Sequence, residues 1–428
     1  MIVSVTPSSI SGSLLAPPSK SCMQRACAAA LINEGTTIID NAGSSNDEEA
    51  AKNIVEKLGA TVETIRKQVV ITSSKYIFNS PSPEKNVMVS CGESGLSLRM
   101  FTPIAALFNY DITFTGEGSI LTRPVDFFDD ILPKLGVEIQ SNHGKIPITI
   151  KGPLKPANVT VDGSLSSQFL TGLLMAYAKA CTVPVSIKVK NLASKPYIDL
   201  TLDILSHFGY HVENKNYETF DIYPRTSKEN HSIKYTVEGD WSNIAFLLVA
   251  GAIAGEVTVK GANFNSSQGD KKIITALESC GASIHSDQKD ITVRKNKLEA
   301  FNFDATHAPD LFPPLVALAS YCKGTTTIKG VRRLLHKESD RAKTLKMEFA
   351  KMNVDIELND DLMIIKGGNQ IKGAKVTSHN DHRIAMACAV AALGAKGNTV
   401  IHAAEAVKKS YPTFFEDLKM LKASLQIS

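Results

Sequence analysis

Leu58-Gly59-Ala60-Thr61-Val62-Glu63 reads as a helix end, a glycine and then an alternating strand. The phrase returns as Leu135-Gly136-Val137-Glu138-Ile139, Phe208-Gly209-Tyr210-His211-Val212-Glu213 and Cys280-Gly281-Ala282-Ser283-Ile284. A fifth copy, Met352-Asn353-Val354-Asp355-Ile356-Glu357, puts Asn where the others have Gly. Asn is the next-best residue for a left-handed helix cap. The cap positions 59, 136, 209, 281 and 353 are 77, 73, 72 and 72 residues apart. Each copy is followed by a polar turn and a second short apolar strand, at 69–71, 148–150, 220–222, 291–293 and 363–365.

A second phrase interleaves with the first. An Ala-rich helix ends and a β-branched strand follows, at 35–39, 111–114, 185–189, 255–259, 324–328 and 397–401. The two phrases together give six units of roughly 70 residues, each read as strand, helix, strand, helix, strand–turn–strand. The helices at 169–180, 244–254 and 384–394 are apolar nearly all round, and a helix without a polar face must be buried. The strands carry polar residues at alternate positions and can face water on one side. The fold class is therefore α/β: two inside-out α/β barrels, each of three βαβαββ repeats, helices inside and sheets outside. A shift of phase near Glu238-Gly239-Asp240 divides the six units into threes. Residues 1–19 plus 239–428 are expected to form one discontinuous domain and 20–238 the other. The first strand, residues 2–15, is expected to complete the sixth repeat, with chain crossings near 16–20 and 237–241.

Composition narrows the function classes. The chain has 428 residues, enough for two or three domains, with 43% apolar and 21% charged residues, the balance of a globular protein. Forty-seven Lys and Arg against 43 Asp and Glu leave a net charge of +4, too small to predict nucleic-acid or membrane binding. The longest uncharged stretches, such as 163–178 and 241–255, fall short of a bilayer span. Residues 1–12 lack the basic and apolar regions of a signal peptide and the arginines of a transit peptide. The seven cysteines are scattered without a CxxC pair, which reads as small core residues of a protein in a reducing cytoplasm. The ten histidines form no cluster with metal-ligand spacing, so no structural or catalytic metal is expected.

The distribution of the cations is more telling. A helix start carries partial positive charge, so Lys or Arg is disfavoured there. Yet Lys20, Arg99, Arg123 (before Pro124), Arg341, Arg383 and Lys409 all stand at expected helix starts, with Arg25 one turn beyond Lys20 and Ser21. Free backbone N–H groups beside such cations make a site for phosphate or carboxylate. Each cation could instead pair with a neighbouring carboxylate, as Asp340 and Asp381 allow. The set as a whole points to a ligand with several negative charges, held in a cleft between the two domains. Ser164-Leu165-Ser166-Ser167-Gln168 and Ser194-Lys195-Pro196-Tyr197 add hydroxyl and amide donors beyond what helix capping requires. Asp310 and Glu338 supply carboxylates able to act as bases, although Asp310 could also be a plain N-cap.

These residues resemble the EPSP synthase family of enolpyruvyl transferases, from residue 15 to 421. The resemblance is carried by Ser19-Lys20-Ser21 with Arg25, Ser94-Gly95 with Arg99, Leu121-Thr122-Arg123-Pro124 and Ser166-Ser167-Gln168-Phe169-Leu170. It continues through Ser194-Lys195-Pro196-Tyr197-Ile198-Asp199, Val237-Glu238-Gly239-Asp240, Gln268-Gly269-Asp270, Lys337-Glu338-Ser339-Asp340-Arg341 and Asn380-Asp381-His382-Arg383. It implies transfer of the enolpyruvyl group of phosphoenolpyruvate to the 5-hydroxyl of shikimate 3-phosphate, in aromatic amino acid biosynthesis. A cytoplasmic monomer is expected, since nothing in the sequence suggests an obligate interface. On the resemblance, Lys20, Ser21, Arg25, Ser166, Ser167, Gln168, Ser194, Tyr197, Asp310 and Lys337 would hold shikimate 3-phosphate. Lys20, Gly95, Arg123, Gln168, Arg341, Arg383 and Lys409 would hold phosphoenolpyruvate. Asp310 would be the base, with Lys20 and Glu338 as proton-transfer partners, and no metal or cofactor takes part.

The sequence departs from the family pattern at Pro17-Pro18, Glu93, Leu96 and Arg333, which stand where Pro-Gly, Asn, Thr and Asn are usual. Gly95 is retained, and a methyl there would crowd phosphoenolpyruvate and the inhibitor glyphosate. The sibling transferase acting on UDP-N-acetylglucosamine typically uses a loop cysteine, and residues 116–121 contain none. A non-catalytic anion-binding protein of this fold would be expected to lose Lys20, Asp310, Glu338 or Arg383, and all four are present.

Overall fold

The computed structural model describes residues 1–74, 76–79, 86–164, 166–225 and 232–428. Leu165, within the Ser164–Gln168 turn read from the sequence, lies outside the described residues. The chain divides into two compact units, Pro18–Val237 and Met1–Pro17 with Glu238–Ser428. The first contains helices α1 (Lys20–Ile32), α2 (Asn46–Lys57), α3 (Gly95–Ala105), α4 (Phe127–Ile131), α5 (Ser167–Ala180) and α6 (Lys195–His207). The second contains α7 (Trp241–Ala254), α8 (Ile273–Ser279), α9 (Phe312–Tyr321), α10 (Arg341–Lys351), α11 (His382–Ala392) and α12 (Phe414–Met420).

Six four-stranded sheets share one plan among the described residues. In the second repeat, Val87–Ser90 runs parallel to Ile112–Thr115, with Val87 opposite Ile112. Ile112–Thr115 then pairs antiparallel with Ile148–Lys151, which closes a hairpin with Glu138–Ser141. The interleaved β-branched phrase supplies an inner strand of every sheet, and in the first five repeats the capped phrase supplies the hairpin; in the sixth, Ile2–Thr6 and Ser424–Ile427 take its place. Strands such as Val185–Lys190 alternate buried and more open positions, as a sheet with one solvated face requires.

The helices fill the interior. Every residue of α7 and of α11 is buried. Each unit has its own hydrophobic core, one built around α1, α3 and α5, the other around α7, α9 and α11. The left-handed caps are where the repeat predicts them: Gly59, Gly136, Gly209, Gly281 and Asn353 all have positive φ. The sixth repeat has the same turn at Lys422, with φ 71°. Sequence reading missed it because a lysine carries no such signal, at a cost of about 1–2 kcal/mol for a side chain in that region.

One expectation is corrected. Residues 2–15 are not one strand completing the sixth repeat. Ile2–Thr6 does so, pairing with Thr399–His402 and Ser424–Ile427. Ile10–Leu15 instead runs parallel to Gly255–Lys260 and opens the fourth sheet. In the other unit Ile233–Thr236 plays that part beside Gly35–Asp40. Each unit thus takes its opening edge strand from the segment just ahead of the other unit's first helix. A break at Pro7-Ser8-Ser9, with no residue able to continue the ladder through Pro7, separates the two N-terminal strands.

Candidate active site

In the unit Pro18–Val237, Ser19 caps α1, and Lys20 is the first helical residue. The Lys20 ammonium donates to Asp47 Oδ2 at 2.8 Å. Asp47 belongs to the acidic first turn of α2, where carboxylates are favourable anyway. That ordinary role hid its contact with Lys20 from sequence reading. One turn along α1, Arg25 is buried, and its guanidinium donates to Thr201 Oγ1 at 2.9 Å and to the Ser21 and Tyr197 carbonyls at 3.0 and 3.3 Å. Burial lowers the Arg25 pKa to about 10, which leaves it charged at neutral pH. Thr201 also meets Thr171 of α5 at 2.9 Å, so α1, α5 and α6 are tied by hydrogen bonds.

Ser94 caps α3 and Ser166 caps α5, each accepting a backbone N–H from the following turn. Gln168 accepts from Arg99 Nη1 at 3.2 Å, and Arg99 also donates to the Gly95 and Pro124 carbonyls at 3.4 and 3.1 Å. Arg99 therefore links Gln168 with the turn that bears Arg123. Its buried, three-way role was not assigned from the sequence. A Cβ on Gly95 would stand 2.7 Å from Arg123 Nη1 and 2.8 Å from Arg99 Nη1, so the missing side chain is what admits both guanidiniums. Ser194, with φ 56°, precedes α6 and accepts the Tyr197 N–H through its carbonyl at 3.1 Å. Ser21 and Ser167 lie at the starts of α1 and α5.

In the unit containing Glu238–Ser428, Asp310 is not an N-cap. It sits in the short 3-10 turn Pro309–Leu311, and Leu311 precedes α9. Its carboxylate instead accepts from Arg341 Nη1 at 2.9 Å, Arg383 Nη2 at 3.1 Å and Lys337 Nζ at 3.2 Å. Arg341, the first residue of α10, also reaches Glu338 at 2.6 Å and Asp381 at 2.9 Å. Burial alone lowers the Arg341 pKa, but Asp381, Glu338 and Asp310 outweigh it and hold the group far above its ordinary value. Arg383 behaves alike, raised chiefly by Asp310 against the cost of burial. Lys337 is lowered, because burial and the charges of Arg341 and Arg333 exceed the attraction of Asp310. Arg383 also donates to Ser242 Oγ at 2.9 Å, which fixes it to the first turn of α7. Lys409 Nζ donates to the Asn380 carbonyl, beside the turn that leads into α11.

Two expected helix-start cations are elsewhere. Arg123 follows the 3-10 segment Gly118–Thr122, and α4 begins only at Phe127, so Pro124 does not open a helix. Lys409 ends the 3-10 segment Ala404–Lys409, ahead of α12 at Phe414. For Arg341 and Arg383 the compensating charge comes from within the unit, from Asp310, Glu338 and Asp381. Asp340 instead pairs with Lys343. Among the described residues no group of three or more His, Cys, Asp or Glu could hold a metal ion.

Fold and geometry together define an α/β repeat protein of two units, each gathering cations with hydroxyl, amide or carboxylate partners near the starts of buried helices. The chain belongs to the EPSP synthase (3-phosphoshikimate 1-carboxyvinyltransferase) family, which it matches over residues 5–418. It is 36% identical over 421 residues to the 3-phosphoshikimate 1-carboxyvinyltransferase of Clostridium novyi, covering 97% of this chain and 96% of that protein. It is 37% identical over 419 residues to the Clostridium kluyveri protein of the same name, covering 98% and 97%. The solved EPSP synthase of Acinetobacter baumannii superposes with a TM-score of 0.83 at 25% identity, covering 100% of this chain and 99% of that one. The inside-out α/β architecture read from the repeats agrees with this likeness.

Proposed function

We propose that the chain transfers the enolpyruvyl group of phosphoenolpyruvate to the 5-hydroxyl of shikimate 3-phosphate, releasing phosphate. Family membership over nearly the whole chain supports the reaction, and the contact of Asp310 with Arg341, Arg383 and Lys337 is the observation that carries the mechanism. Three cationic donors favour the ionised carboxylate, which is the form able to accept a hydroxyl proton. They also restrain its basicity. When phosphoenolpyruvate takes over Arg341 and Arg383, the restraint on Asp310 is relaxed at the step that needs a base.

The 5-oxygen then bonds to C2 of phosphoenolpyruvate, its proton passes to Asp310, and C3 takes a proton. Loss of phosphate from C2 and of a proton from C3 restores the double bond. Lys20, oriented by Asp47, and Glu338 are the proposed proton-transfer partners. Shikimate 3-phosphate is assigned to Lys20, Ser21, Arg25, Ser166, Ser167, Gln168, Ser194, Tyr197, Asp310 and Lys337. Phosphoenolpyruvate is assigned to Lys20, Gly95, Arg123, Gln168, Arg341, Arg383 and Lys409, whose cations stabilise the shifting charge. The two sets would act on one pair of substrates.

The chain is proposed to act as a cytoplasmic monomer. Its seven free, buried cysteines suit a reducing compartment, and no helix among the described residues is long and apolar enough to cross a membrane. The test is phosphate release on mixing the protein with phosphoenolpyruvate and shikimate 3-phosphate, repeated with UDP-N-acetylglucosamine as acceptor. Release with the first acceptor alone is expected. Release only with the second would transfer the chain to the sibling activity.

A further inference from the structure

Glu348, on α10, is a fully buried carboxylate outside the set of residues assigned to substrates. Its Oε2 accepts the Thr377 backbone N–H at 3.0 Å, and its Oε1 meets His379 Nε2 at 2.8 Å. Lys351 donates to both oxygens at 2.8 and 2.7 Å. A buried carboxylate keeps such a position only when its lone pairs are filled in this way. Two of its four contacts go to the end of the strand Lys375–Thr377 and to the turn that leads from it into α11.

That turn has an unusual backbone. His379 and Asn380 are consecutive non-glycine residues with φ 52° and 56°, a conformation that persists only where the surroundings over-determine it. The turn ends in two functional directions. The Asn380 carbonyl receives Lys409 Nζ, and Asp381 caps α11 by accepting the Arg383 N–H at 3.0 Å. Arg341 stands seven residues before Glu348, on the same face of α10, and grips Asp381. One face of α10 therefore holds the turn at both ends, through Glu348 at Thr377 and His379 and through Arg341 at Asp381.

We propose that Glu348 is a positioning residue for the anion-binding cations beside α11: by clamping residues 377–380 it sets Lys409 through the Asn380 carbonyl and Arg383 through the Asp381 cap. The proposal rests on the reading of Arg383 and Lys409 as phosphoenolpyruvate ligands. Glu348→Gln keeps the side-chain shape but cannot accept on both oxygens. His379→Asn removes the ring while keeping a residue that tolerates positive φ, and the His379 side chain is 34% exposed, so this variant serves if the first does not fold.

The experiment is steady-state kinetics of both variants with each substrate varied in turn, together with amide exchange over residues 377–383. A small displacement of substrate-holding groups predicts a KM for phosphoenolpyruvate raised about tenfold, with the KM for shikimate 3-phosphate changed less than about twofold. Exchange should rise selectively over 377–383. A KM for phosphoenolpyruvate unchanged in both variants, or both KM values rising together, overturns the proposal. Absence of phosphate release by the parent protein would instead overturn the proposed function. In that event the exchange data decide, and unaltered protection over 377–383 in Glu348→Gln refutes the positioning role.

Discussion

The Lys20 ammonium and the Asp47 carboxylate meet at 2.8 Å with their side chains only 13% and 10% exposed. The contact joins the first residue of α1 to the first turn of α2 and gives the lysine a fixed partner within its own unit. If Lys20 moves a proton in the reaction, its neighbour must hold it in place. Asp47→Ala should lower kcat by about 10²-fold, the lower end of what a misplaced acid–base group loses. Asp47→Glu should recover part of this. A kcat for Asp47→Ala within a factor of two of the parent would show that the pair is only structural.

Asp310 separates three cations, and removing it leaves Lys337, Arg341 and Arg383 facing one another. Asp310→Ala should abolish most turnover, a loss of at least about 10²-fold, while circular dichroism stays that of the folded protein. It should also lower Tm, because a buried partner loses its counter-charge. Asp310→Asn keeps the shape and should cost less stability for a similar loss of rate. Near-normal turnover in both would remove Asp310 from the role of base.

Gly95 is the third test. The atoms a methyl would meet are the far ends of Arg123 and Arg99, so Gly95→Ala should keep the fold but disturb the hydrogen bonds of the buried Arg99. The displaced guanidiniums should be misplaced for an anion, raising the KM for phosphoenolpyruvate by about tenfold. Tm should fall by about 2–4 °C for each kcal/mol lost at Arg99. A large fall in Tm with an unchanged KM is the outcome that would contradict this account.

Glu348 gives a prediction on pH. Burial by itself would raise its pKa, but the hydrogen bonds from Lys351, His379 and the Thr377 N–H prevail and hold it below the ordinary value. A carboxyl depressed in the folded state contributes stability that is fully present above its unfolded pKa of about 4.3 and is lost as pH falls through the folded value. The parent should therefore exceed Glu348→Gln in Tm at pH 7, and the gap should narrow on acidification below about pH 4. Parallel Tm curves down to pH 3 would count against the depressed pKa.

Much of this protein is legible in one dimension. The cap at Gly59 and its four later copies, the inner strands from Gly35–Asp40 to Thr399–His402, and the all-round apolar α7 and α11 follow from local rules of chirality, alternation and periodicity. Six such units in phase leave few ways to bury the helices, so the architecture comes with them. Residue types at the site were also visible, since cations at helix starts are locally unfavourable and stand out.

Tertiary structure alone decided the partnerships. Asp310 meets Arg341 and Arg383 across 31 and 73 residues of chain, and Lys20 meets Asp47 across 27. The split of residues 2–15 between two sheets, the bridging role of Arg99 and the grip of Glu348 on 377–380 belong to the same kind. Periodicity and caps are written in neighbours a few residues apart. Which carboxylate neutralises which guanidinium depends on how packed helices bring distant turns together, and a short-range pattern holds no record of it.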